Sequence, residues 1–361
     1  MQSAKFAHPN PSFYVELKKR INEYFKSTGQ ETTGGSRILI KAVVLLTLLL
    51  ATYVTVVFFT PASAIVSLLL CMLLGMLTAA VGFNVMHDGA HGSFSKNPII
   101  NKTASNVAEF VGASQFMWNM KHNVIHHAYT NIDGIDDDIN AEPFLRMAPT
   151  QKKRSFQRFQ HYYFWMFYAI LHLYWSFVSD FKKYFSGKIG TVPLKKMTAK
   201  DHVQFWAFKV SYFCLFLVIP IVRLGWPDWL AGFLTFTLTA GFILSIVFQL
   251  AHTVEDTQFP VPQQPSNSLE DEWAVHQLKT TANFAVNNKL ISWYVGGLNF
   301  QVEHHLFPRI SHIHYPALNK IVKQACKEYD VTYIEYQKMH QAISSHIGFL
   351  RQMAKGGPVP A

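Results

Sequence analysis

Apolar residues in this chain gather in long runs separated by polar stretches. The first run covers residues 38–59, interrupted only by Lys41, and after Thr60-Pro61-Ala62-Ser63 a second covers 64–86. Each is about the 20 residues that cross roughly 30 Å of hydrocarbon, so the pair predicts a helical hairpin. Three further runs follow at 161–179, 204–222 and 229–251, the last two joined by a short turn at 223–228. Residues 99–120 mix apolar side chains with Asn, Lys, Glu and Gln, which suits a helix lying in the membrane interface. The ends are polar: a lead-in over 1–37 with a short amphipathic helix at 12–25, and a segment over 326–361 whose Gly-Gly-Pro tail is expected to be disordered.

The polar stretches between the runs hold three histidine clusters, His87-Asp88-Gly89-Ala90-His91, His122-Asn123-Val124-Ile125-His126-His127 and Gln301-Val302-Glu303-His304-His305. On a helix, positions i and i+4 share a face, so His87 with His91 and His122 with His126 each turn two imidazoles to one side. His127, next to His126, reaches toward a second ion, and His304-His305 repeats that arrangement. Imidazole suits zinc, copper, iron and nickel.

If the clusters share one metal site, the chain crosses the membrane an even number of times between the second and third. The hairpin 204–222/229–251 supplies both crossings, and the aromatic-rich run 161–179 becomes interfacial. The loop 180–203 carries Lys182, Lys183, Lys188, Lys195, Lys196 and Lys200, which the positive-inside rule assigns to the cytoplasm. The predicted fold is all-α and polytopic: four transmembrane helices in two hairpins, interfacial amphipathic helices, and a cytoplasmic histidine-rich cap with both termini on that side.

This topology brings His252, at the end of the last span, level with the clusters as an eighth candidate ligand. Asp88, Glu303 and the Asp136-Asp137-Asp138 run are candidates to accept the outer N–H of ligand imidazoles. His276, His312 and His314 read as outer donors or phosphate contacts, and Trp118 and Trp273 as interface anchors. The histidines outside the clusters, His8, His161, His172, His202, His340 and His346, read as structural.

Composition agrees with this picture. Half the residues are hydrophobic and 15 % charged, against about 25 % charged in soluble domains. The net charge of +10 favours acidic lipid or a phosphate-bearing substrate; no arginine-rich, aromatic-interleaved patch points to nucleic acid. Cys71, Cys214 and Cys326 show no CxxC spacing, which argues against a disulfide framework and zinc-thiolate chemistry. No cleavable signal pattern is seen: the first apolar run begins near Ile38 and is too long for one.

The strings HDGAH, KHNVIHHAYTN and GGLNFQVEHHLFP, in this order over about residues 40–325, resemble the boxes of integral-membrane fatty acid desaturases. The match is to the front-end (delta-6/delta-5-like, linoleoyl-CoA desaturase-like) group, whose third box begins with Gln. The resemblance implies a membrane desaturase domain over 38–325 and a di-iron centre held by histidines. It also implies an acyl chain in a narrow bent tunnel, and oxygen with two electrons as co-reactants. Carried over by position, the metal ligands are His87, His91, His122, His126, His127, His304 and His305, with His252 matching an additional histidine. Gln301 stands where related desaturases have a further histidine; it and Asn299 are further candidates for the site.

The expected reaction is insertion of a cis double bond into a long acyl chain, carried as acyl-CoA or acyl-lipid. The basic loop and Arg309 are candidates to hold the carrier's phosphates. An HPGG haem motif is not seen, the nearest string being His8-Pro9-Asn10, so a separate ferredoxin or cytochrome-b-type protein is expected to supply electrons. The setting implied is a bacterial inner membrane, or the ER membrane in a eukaryote, with the site facing the cytoplasm. Alternatives are hydroxylation of an alkane, sterol or carotenoid by the same centre, or a zinc-dependent membrane hydrolase, which needs only about three ligands.

Overall fold

In the computed structural model the apolar runs become helices that extend past the runs themselves. Residues 4–8 and 12–356 are described; Pro9, Asn10 and the tail beyond Gly356 lie outside them. Helix α1 (Phe13–Thr28) starts at Ser12, whose side chain accepts from Val15 N, and ends at Gly29. Its buried stripe Phe13, Leu17, Ile21 and Phe25 has the four-residue spacing of one helix face. Then come α2 (Gly35–Phe58), α3 (Ala64–His91), α4 (Pro98–Phe110) and α5 (residues 115–129). Helix α6 (residues 160–186) leads to a small hairpin of β1 (Lys188–Ile189) and β2 (Val192–Pro193), followed by α7 (Ala199–Leu224) and α8 (Trp226–His252).

Among the described residues, four helices are long and apolar enough to cross a membrane, α2, α3, α7 and α8, in the two predicted hairpins. The fold is all-α and polytopic, and α3 and α8 are its more deeply buried pair. Asn97 caps α4 by accepting from Ile99 N, with Pro98 in its first turn. Thr198 caps α7 in a reciprocal box with Asp201.

The run 161–179 is not among the four; it forms most of α6, which packs along α8 through Phe164 and Tyr168 against Leu244 and Val247. Ser245 Oγ donates to the Tyr168 carbonyl at 3.1 Å. Buried Lys209 of α7 fixes the other side of α6, with Nζ donating to Asp180 Oδ2 at 2.8 Å and to the carbonyls of Gly112 and Ser176.

After α8 the chain builds a cap over one end of the bundle: α9 (Trp273–Lys279), β3 (Ala282–Phe284), α10 (Lys289–Tyr294), α11 (Gln301–Leu306) and α12 (Tyr315–Glu328). Strand β4 (Ile334–Tyr336) pairs parallel with β3, Asn283 opposite Glu335, and α13 (Met339–Lys355) returns against α6 and α8. The buried stripe of α1 packs into this cap beside Leu278, Val302, Leu318 and Val322.

Candidate metal centre

Helix length places the first box. At 28 residues α3 is about 42 Å long, about two turns more than a hydrocarbon core of roughly 30 Å. The extra turns carry His87 and His91. The apolar run stops near residue 86, and the helix continues through His91 after a π-helical turn, Gly82–Met86. Gly89 lets α4 approach, because a Cβ there would meet Ser105 N at 2.6 Å and Ala104 Cβ at 2.7 Å. The two imidazoles share a face, ring centroids 4.7 Å apart.

The second box departs from a plain helix. Met120–His126 is π-helical, so His122 meets His127, five residues on, with their Nε2 atoms 3.2 Å apart. His126 stacks on His122 at 5.3 Å. One element thus presents three imidazoles inward.

The third box sits on α11, after a Gly296-Gly297 turn. Gly296 has φ +62° and lies where a Cβ would meet the Phe83 carbonyl at 2.6 Å, so the turn presses against α3 just ahead of the first box. His252 is the last residue of α8, which at 27 residues also outlasts the bilayer core.

All eight imidazoles converge. His304 lies 4.5 Å from His87 and 4.8 Å from His91 between ring centroids, and His305 lies 4.4 Å from His127, 4.9 Å from His126 and 4.8 Å from His252. Nitrogens of His87, His91, His122 and His304 fall within 4.8 Å of one another, as do those of His126, His252 and His305 and those of His127, His304 and His305. The Nε2 atoms of His87, His91, His126, His304 and His305, and Nδ1 of His127, are buried without a hydrogen-bond partner. So many orphaned buried nitrogens in one place are unusual in a protein. An all-imidazole donor set of this kind fits iron, nickel, copper or zinc.

The outer nitrogens explain why the inner ones are free. His126 Nδ1 donates to Asp136 Oδ2 at 3.0 Å, and that carboxylate is fixed by Asn131 N and Asp138 N. His305 Nδ1 donates to Gln277 Oε1 at 2.7 Å. His252 Nδ1 donates to the Thr280 carbonyl at 3.3 Å, and His304 Nδ1 pairs with the Tyr315 hydroxyl at 3.1 Å. Holding the proton on Nδ1 leaves Nε2 as a lone-pair donor.

Burial holds His122 down at about 3 and, with the neighbouring imidazoles, keeps His127, His304 and His305 well below the ordinary histidine range. His126 is the exception: burial works against its charge, but Asp136 and Asp138 outweigh it and raise the pKa.

The other candidates fall in distinct places. Asp88 Oδ2 accepts from His312 Nδ1 at 2.9 Å, while its Oδ1 lies 3.9 Å from His87 Nδ1. Gln301 Nε2 is 3.2 Å from His252 Nε2, and its Oε1 is buried without a partner. Glu303 turns away from the rings: Asn283 and Tyr333 each donate to its carboxylate at 2.7 Å, and burial raises its pKa to about 7. Asn299 ties down the preceding turn, donating to Ser292 Oγ at 2.9 Å. Trp118, read from sequence as an interface anchor, is buried and stacks on His122 at 4.5 Å. Gln277, Tyr315 and Thr280 carry no sequence pattern that marks them. His172 and His346 are structural as expected, their rings bonded to Val111 and to Tyr168 and Thr253.

A cavity of about 630 Å³ reaches the cluster at His122, His126 and His252. Trp118, Phe167, Leu171, Leu244 and Phe248 make its apolar wall, and Asp137, Asp138, Lys182, Lys183 and Lys188 line its charged part.

The sequence profile described as fatty acid desaturase matches residues 63–337. The chain belongs to the fatty acid desaturase family. This desaturase is 35 % identical over 343 residues to the sn-1 linoleoyl-lipid 6-desaturase of Arthrospira platensis, a match covering 95 % of this chain and 92 % of that one. It is 36 % identical over 341 residues to the enzyme of the same name from Synechocystis, covering 94 % of each chain. With the acyl-lipid (8-3)-desaturase of Physcomitrium patens it shares 35 % identity over 348 residues, 95 % of this chain and 72 % of the relative. The front-end resemblance of the third box is thereby borne out, and this desaturase is an oxidoreductase.

Proposed function

We propose that this desaturase inserts a cis double bond into a long acyl chain carried on a membrane lipid, with two histidine-held irons, oxygen, and two electrons from a separate ferredoxin or cytochrome-b-type protein. The observation that carries the reading is the convergence of eight buried imidazoles, most with an unpartnered nitrogen, at a cavity with an apolar wall on one part and charged residues on another. His87, His91, His122 and His304 would hold one iron, and His126, His252 and His305 the other, with His127 beside both sets. Bound iron supplies the oxidising power toward unactivated C–H bonds that no side chain has. The overall reaction balances as –CH2–CH2– plus O2, two electrons and two protons giving –CH=CH– and two waters.

The rest of the work belongs to side chains. Asp136, Gln277, Tyr315 and the Thr280 carbonyl hold their histidines in the ligating orientation. The apolar wall holds the acyl chain against the cluster and keeps water out. The charged part of the cavity favours a lipid carrier over coenzyme A. Its five acids, Asp133, Asp136, Asp137, Asp138 and Glu142, face four lysines, Lys121, Lys182, Lys183 and Lys188. Lys121 pairs with Asp138 at 2.7 Å and Lys183 with Asp137 at 3.5 Å. Little positive charge remains for several phosphates, and the relatives' names specify acyl-lipids. The lysine-rich 180–203 loop and the grouping of the boxes at one end of the bundle support a site on the cytoplasmic side of the membrane.

Expression in a host of defined fatty-acid composition tests the reaction. The wild type should add a lipid-bound acyl chain lighter by two hydrogens, and His126→Ala or His305→Ala should abolish it. A product heavier by one oxygen would instead identify a hydroxylase, and product retained in both variants would sink the assignment of the site.

A further inference from the structure

The cluster is sealed on nearly every side. His87, His122, His126, His252, His304 and His305 are each at most 4 % exposed, whereas His91 is 9 % and His127 6 %. Neither of these two lines the cavity, so the centre comes nearest to the outer surface away from the acyl-chain path.

That surface has a definite chemistry. Trp273, half-buried, donates its indole N–H to the His127 carbonyl at 3.0 Å. The Tyr14 ring packs edge-on against Trp273 at 5.2 Å and stacks on Phe307 at 6.2 Å. Lys18, one turn on from Tyr14 along α1, and Arg309, two residues past Phe307, are both exposed. Neither has an ion-pair or hydrogen-bond partner among the described residues. Nearby acids are already engaged: Glu272 accepts from Ser12 Oγ and Tyr14 N, Glu16 pairs with Arg20, and Asp271 with Lys279.

We propose that this patch, with Trp273 and Tyr14 at its centre and Lys18 and Arg309 at its rim, is where an acidic one-electron carrier protein docks. The inference rests on the reaction proposed above and adds the place at which its electrons enter. Each docking oxidises the carrier by one electron, so two dockings supply the two electrons of a turnover. Aromatic contact area at the centre with unpaired cations at the rim is the arrangement that steers and seats an acidic partner. Entry here also lets reduction proceed while the acyl chain fills the cavity.

The test uses the full-length, iron-loaded protein in lipid nanodiscs, with photoreduced plant-type [2Fe–2S] ferredoxin as the carrier and dithionite as the comparison. Lys18→Glu and Arg309→Glu should each slow ferredoxin oxidation at low salt by about ten-fold, and the double variant should lose most of the salt dependence. Oxidation of dithionite, which needs no docking, should change less than about two-fold. Unchanged ferredoxin kinetics in both variants, or equal slowing with both reductants, would overturn the proposal. Charge-dependent ferredoxin oxidation that leaves the acyl chains saturated would uphold the docking surface and overturn the reaction.

Discussion

Gln277 Oε1 lies 2.7 Å from His305 Nδ1 and also accepts from Thr130 Oγ1 at 2.9 Å. An uncharged amide therefore sets the orientation of an imidazole at the middle of the cluster. Replacing such an outer partner typically lowers metal affinity by about 10–100-fold. Gln277→Leu should show a loss in that range, measured as iron retained after dialysis against a graded chelator, with the fold intact by circular dichroism.

His252 lies at the end of α8 and belongs to a three-histidine group, with Gln301 beside its Nε2. On the two-iron reading proposed above, His252→Ala should bring iron from two per chain toward one, read by elemental analysis. Gln301→Ala should retain more iron than His252→Ala, because the amide is one neighbour of a group that keeps its three imidazoles.

Lys209 and Asp180 form a buried pair between α7 and α6, and Asp180 also accepts from Ser114 N at 2.6 Å, just ahead of the second box. Removing one partner of a buried pair costs about 3–5 kcal/mol. Lys209→Met should lower the melting temperature in detergent strongly, and Lys209→Met with Asp180→Leu should recover much of the loss.

Burial holds His346 at about 4, below the ordinary 6.5, while its ring bonds Tyr168 and Thr253. The folded state thus prefers the neutral ring. Its contribution to stability is complete above about pH 6.5 and is lost as pH falls toward 4, at about 1.4 kcal/mol per pH unit. His346→Gln should lessen the loss of stability between pH 6.5 and 4.5 by about that amount relative to the wild type, read from melting followed across this range.

Much of the fold was legible because a bilayer imposes a length: counting residues finds five apolar runs, and the parity of crossings leaves four spans in two hairpins. His252 was legible for a related reason, since the parity of crossings placed it level with the boxes. What stayed hidden depends on packing between distant segments. Gln277 and Tyr315 approach their histidines from 28 and 11 residues away with no periodicity to announce them. The spacing of His122 and His126 suggests a regular helix, and the wider turn that brings His127 onto His122 is fixed by surrounding contacts. Trp118 follows the same logic: at an apolar boundary it reads as an anchor, yet it is folded inward against the second box.

The over-long α3 and α8 separate two functions that a membrane enzyme must reconcile. Bilayer thickness acts on the lower parts of these helices, where tilt absorbs a mismatch. The histidines ride above, at the far ends of these helices and against a cap tied together by β3, β4 and α13. On the lipid-carrier reading proposed above, the acyl chain is therefore measured by a gauge made of protein alone. The carbon at which the double bond forms should stay the same in thin and thick membranes, leaving a cell free to remodel its bilayer without changing its product.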